Sequence, residues 1–148
     1  MKIYSLTKNL LDMYAKDLLH NQIFQIWPPN LDMNNLGESV MFVSNYGLSN
    51  EINVIFGQDH GFGMSCLLGR DMGYSPYIND LFKAINIPLI EPQNDFLIAI
   101  KNCSKAIINN LDKIVQAYNK ENYNVTMKKI DVLTINKLRD YQVVWKQK

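Results

Sequence analysis

Every glycine of this 148-residue chain lies between Gly37 and Gly73, and no proline follows Pro92. Glycine and proline are the main punctuation of local structure. Their placement divides the chain into a helical start, a turn-rich middle and a helical end. Residues 93–148 contain no strong helix breaker at all. A chain of this length, 47% apolar and 20% charged, has the balance of a globular domain that buries its own core. We therefore expect an α+β fold in one domain over residues 1–148, mostly helical, with a small three-stranded antiparallel sheet in the middle.

In the first part Leu6, Leu10, Tyr14 and Leu18 recur every four residues, flanked by Leu11, Ala15 and Leu19. That spacing predicts an amphipathic helix over 5–20, with Ser5 as its N-cap. Pro28-Pro29 ends any helix before it, because the residue preceding proline avoids the helical region. Ile23 to Trp27 reads equally as a last helical turn or a short strand. The middle reads as a β meander over 39–68. Val40-Met41-Phe42-Val43 is an apolar run, and Ile52, Val54 and Phe56 alternate with Asn53 and Ile55. Met64 to Leu68 follows the glycine-containing loop 57–63. A meander of this size needs a helix on its apolar face to be stable.

Ser75-Pro76 reads as a helix start, with a capping serine and proline at the first helical position, giving a helix over 76–86. Phe96, Ile100, Cys103, Ile107, Leu111, Ile114 and Tyr118 then step by three or four residues. They predict one helix over 93–119, roughly 25 residues or about 38 Å long, opening at Glu91-Pro92. Ile135, Leu138, Tyr141 and Trp145 predict a last helix over 134–146, while Val125 to Val132 reads either way.

Chemistry is thinly marked. Two cysteines, Cys66 and Cys103, suit a reducing compartment better than a bridged secreted scaffold, and the first residues lack the apolar run of a secretion signal. These features predict a cytoplasmic protein. No stretch is apolar enough to span a membrane. Two histidines, His20 and His60, give no ligand spacing, so no metal site is expected. Gly57-x-x-x-Gly61-x-Gly63 matches no phosphate-binding fingerprint, and no cofactor motif is legible. Asp59, His60 and Cys66 contain the residue types of a thiol nucleophile with its base. Adjacent residues point to opposite faces of an extended chain, however, and Cys66 sits among apolar neighbours. The plainer reading is a hairpin loop beside a buried thiol.

Charge carries the clearest functional signal. The net charge of +1 is an average over two opposed parts. Residues 1–95 hold ten acidic and five basic side chains; residues 96–148 hold four acidic and ten basic. From Asp17 to Gly69 there is no lysine or arginine, but there are five carboxylates: Asp17, Asp32, Glu38, Glu51 and Asp59. Part of this asymmetry is expected to be compensated within the fold. Beyond that, an acidic, aromatic, loop-rich face is suited to a cationic protein partner. The first expectation is a small non-enzymatic binding protein of immunity type, neutralising a bacterial nuclease toxin by covering its basic groove. Glu51, Asp59, His60, Asp71 and Tyr74 are the expected contacts. A second expectation is a nucleic-acid-binding accessory protein using Lys101, Lys105, Lys113, Lys120, Lys128 and Lys129. A third is a small enzyme centred on Asp59, His60 and Cys66.

Overall fold

The computed structural model describes residues 3–44, 52–59, 63–70 and 75–146, with the side chains at 59, 63, 64 and 137–146 set aside. Within them the chain is α+β, with six α-helices and a four-stranded antiparallel sheet. The sheet has one strand more than the meander expected from sequence. The added strand is β1 (Phe24–Trp27), which pairs with β2 (Ser39–Ser44); β3 (Ile52–Asp59) and β4 (Gly63–Arg70) complete the order β1-β2-β3-β4. Four residues between a helical turn and Pro28 suffice for a strand because Phe24 and Ile26 alternate inward, opposite Ser44 and Phe42. Gly57, expected in a loop, lies inside β3, opposite Ser65 of β4.

The first helical segment is α1 (Lys8–Tyr14) followed by α2 (Lys16–Leu19), with a break at Ala15 and a 3-10 turn at His20–Gln22. Thr7, not Ser5, is the N-cap: its hydroxyl accepts the Leu10 amide at 3.2 Å. Leu6 is instead extended, exchanging backbone hydrogen bonds of 2.8 Å with Leu36 and Gly37. The buried stripe runs through Leu11, Ala15 and Leu18, with Leu6 buried ahead of the helix, whereas Leu10 and Tyr14 of the expected stripe are only partly buried.

Ser75-Pro76 does not open the next helix. Residues 75–77 run beside β4, with the Leu68 amide donating to the Pro76 carbonyl at 2.9 Å and Tyr77 bridging Leu67. Tyr77 then caps α3 (Ile78–Ala84). Gly69 permits this path: a Cβ there would sit 2.3 Å from Ser75 Oγ and 2.9 Å from its Cα. The stripe from Phe96 to Tyr118 lies on two helices, α4 (Phe96–Asn109) and α5 (Leu111–Ala117), broken at Asn110. Asn110 places its side-chain amide on the Ala106 carbonyl at 2.8 Å, a local bond that competes with helical continuation. Asp95 caps α4, accepting the Leu97 and Ile98 amides at 2.8 and 3.3 Å. The last helix, α6 (Tyr123–Lys146), runs through the segment that read ambiguously.

All these elements share one hydrophobic core, formed by the helices against one side of the sheet. Phe42 and Phe56 meet edge to face at 5.9 Å at its centre. Tyr118, fully buried, donates its hydroxyl to the Leu68 carbonyl at 2.6 Å, and Arg70 returns a bond to the Tyr118 carbonyl at 3.1 Å. The Arg70 guanidinium also lies 4.5 Å from the centroid of the Tyr123 ring. These contacts tie the edge of the sheet to the helical end. No helix among the described residues is long and apolar enough to cross a membrane.

Candidate functional site

Strand alternation gives the sheet two faces, and residues opposite each other in register share one of them. The inner face carries Phe24, Ile26, Val40, Phe42, Ile52, Val54, Phe56, Cys66 and Leu68, all buried. On the other face, Trp27 stands opposite Met41, Met41 opposite Ile55, Ile55 opposite Leu67, and Leu67 opposite Tyr77. One apolar and aromatic row therefore crosses the middle of the outer face from one edge to the other. Trp27 and Tyr77, at its two ends, are 39% and 58% exposed, and Met41, Ile55 and Leu67 between them are partly buried. Isolated exposed hydrophobics are ordinary; a contiguous row of five across a sheet is the kind of patch that marks an interaction surface. Both ends are aromatic residues with a polar handle, the type most enriched in binding energy at interfaces.

Beside this row lies a second rank of Gln25, Val43, Asn53 and Gly69. Asn53 is 1% exposed, and among the described residues neither its amide nitrogen nor its oxygen has a hydrogen-bond partner. A buried amide left in this state normally costs stability.

The residues expected to make contacts fall mostly outside the described residues: Glu51, His60, Asp71 and Tyr74 do, and only the backbone of Asp59 is described. Ile52 and Arg70, which directly follow Glu51 and precede Asp71, are opposite each other at one end of the β3–β4 pair. Asp59 closes β3 at the other end, about 23 Å away at the usual rise per residue. The apolar row crosses the sheet between those ends. Sequence reasoning did not find this row. Its signal was present in Met41, Ile55 and Leu67, which fill the strand positions that a half-exposed sheet would make polar.

The lysine expectation concerns a separate surface. Lys101, Lys105, Lys113, Lys120, Lys128 and Lys129 are all exposed along α4, α5, α6 and the turn before α6. No group of three histidine, cysteine, aspartate or glutamate side chains among the described residues is placed to hold a metal ion.

The two cysteines, from β4 and α4, are brought together. Both line a cavity of about 650 Å³ walled by Phe56, Ile78, Ile90, Phe96 and Ala99. Asn79 fixes the loop forming one wall, donating to the Ile90 carbonyl at 3.0 Å and accepting its amide at 2.9 Å. Burial pushes the Cys66 thiol well above the usual thiol range, and its hydrogen bond to Cys103 adds to the rise. The same hydrogen bond holds the Cys103 thiol below that range, against the opposing effect of its own burial. Cys66 therefore pairs with a second thiol across the core, and its neighbour on the sheet is Phe56. At the start of α4, Tyr4 donates to the Asp95 carboxylate at 3.0 Å, which raises the tyrosine pKa.

No protein-family model, curated protein or solved structure matches this chain. The functional reading consequently rests on the two sheet faces, the distribution of charge and the cavity.

Proposed function

We propose that this protein acts by binding another protein across the outer face of its sheet, as a small inhibitor of immunity type that covers the basic groove of a bacterial nuclease toxin. The observation that carries the reading is the row Trp27–Met41–Ile55–Leu67–Tyr77. Its strand residues belong to a stretch, Asp17 to Gly69, that holds five carboxylates and no lysine or arginine. An apolar row carried by an acidic stretch of chain favours a partner that is apolar at its centre and cationic at its rim. Such a partner is steered in by charge and retained by the aromatic contacts. Glu51, Asp59, His60, Asp71 and Tyr74 belong to the proposed rim, where carboxylates stand in for substrate phosphates.

The reading is tested with a purified basic nuclease toxin domain encoded beside this protein. A 1:1 complex that abolishes nuclease activity is expected. Trp27→Ala and Tyr77→Ala should each weaken it about 30-fold, the effect of losing about 2 kcal/mol at an interface anchor. Lys105→Ala, on the opposite side of the molecule, should leave it unchanged. A toxin whose activity is unaffected by excess protein would refute the proposal.

The exposed lysines favour a second reading, as an accessory protein that holds nucleic acid by its phosphates. Under that reading gel-shift affinity falls steeply with salt and with paired Lys128→Ala and Lys129→Ala substitutions, and the outer face of the sheet plays no part.

A further inference from the structure

The chain has only two cysteines, and the fold places both on the wall of one cavity. Each is nearly buried, Cys66 at 9% and Cys103 at 6% exposure, so bulk solvent reaches them chiefly through that cavity. From β4 and α4 they face the same cavity, and each thiol shifts the acidity of the other. A volume of about 650 Å³ lies within the range of small-molecule sites. The cavity is lined mainly by apolar side chains, with Asn79, Glu91 and Gln93 among the polar ones.

We propose that Cys66 and Cys103 form a cavity-facing dithiol that a small disulfide entering this cavity oxidises to an intramolecular Cys66–Cys103 disulfide. In the first step the Cys103 thiolate attacks one sulfur of R–S–S–R. A Cys103–S–S–R bond forms, the R–S–S–R bond breaks, and RS⁻ leaves with the proton that Cys103 gave up. In the second step Cys66 loses its proton and its sulfur attacks Cys103 Sγ, expelling the second RS⁻, which takes up that proton. The two protein thiols are oxidised by two electrons, and the small disulfide is reduced to two RSH.

The environment divides the labour between the two sulfurs. The hydrogen bond donated by Cys66 holds Cys103 in the more acidic state, and attack on a disulfide requires the thiolate. Cys66, pushed up by burial, stays protonated until the mixed disulfide is beside it. Glu91 on the cavity wall makes a positively charged disulfide the favoured class.

Cystamine, small and dicationic, is the probe. The native full chain treated with it is expected to lose two hydrogens in mass and retain no cysteamine. Digestion should then join the Cys66 and Cys103 peptides. The bond closes a loop between β4 and α4 and should raise Tm by roughly 10 °C, reversed by dithiothreitol. Cys66→Ser should stop at a mixed disulfide on Cys103, whereas Cys103→Ser should react about tenfold more slowly at Cys66. Wild-type protein that keeps both thiols free, carries a separate cysteamine on each, or cross-links only between chains overturns the proposal. That result needs no variant and is independent of how the serine substitutions fold.

Discussion

On the inner side of the sheet, Phe42 and Phe56 are sealed under helices; one residue along the same strands, Met41 and Ile55 are left partly open. Both faces are apolar through their middle, and the strands that make them are the same. The difference is the cover: α1, α2, α3, α4 and the helical end all pack on one side. The outer face is closed over Val43 and Asn53 but left partly open along the row from Trp27 to Tyr77, and that row is where a further layer could be received.

Substitution sharpens that comparison most strongly at the centre. Phe42→Ala removes a fully buried ring from an edge-to-face pair and should cost about 3–5 kcal/mol in urea unfolding. Its outer-face neighbour Met41→Thr should cost about 1 kcal/mol or less, because that side chain already meets solvent and threonine suits a strand. Equal losses at the two positions would mean that the outer face is as well packed as the core.

A smaller effect tests the link between the sheet and the helical end. Tyr118→Phe keeps the ring and removes only the hydroxyl that donates to Leu68. The loss of this buried bond should lower stability by about 1–2 kcal/mol. The outer face has its own optical test. In a Trp145→Phe background, Trp27 should emit as a partly hydrated indole and be quenched by acrylamide, and bound partner should shield it. A blue-shifted, unquenched Trp27 in the free protein would show the row to be covered already.

How far these features can be read from sequence depends on whether the cause is periodic. Leu11, Ala15, Leu18, Ile100, Ile107 and Ile114 are all buried as their spacing requires, because a helical stripe repeats over several turns. The break at Asn110 is invisible to that spacing: the apolar steps continue through Ile107, Leu111 and Ile114, and one side-chain amide makes the break. β1 is four residues long, too short for alternation to stand out beside the helix preceding it. Ser75-Pro76 has the chemistry of a helix start, but pairing with β4 outcompetes it. In the candidate site the charge bias was legible and the outer row was not, because that row exists only once Trp27, Met41, Ile55, Leu67 and Tyr77 are set in register. The convergence of Cys66 and Cys103 is likewise a product of β4–α4 packing and has no trace in their spacing.

The smallest expected effects come from two buried polar side chains, one on each side of the sheet. Ser104 lies on α4, fully buried, and its hydroxyl has no partner among the described residues. Ser104→Ala removes that unsatisfied group and improves helix propensity, so it should stabilise by about 1 kcal/mol. Asn53 presents the same problem on the outer face, and Asn53→Leu, of nearly the same shape, should be neutral or stabilise by up to about 1 kcal/mol. The two substitutions separate in function. Ser104 is walled in by the core, so Ser104→Ala should leave partner binding untouched. Asn53 adjoins the proposed binding row, so Asn53→Leu should raise Tm while weakening the complex with the nuclease domain, as happens when a residue kept for function is replaced by one better for stability. Calorimetry of both variants, free and with that partner, decides this. A stabilised Asn53→Leu that binds as tightly as wild type would confine the site to the aromatic row itself.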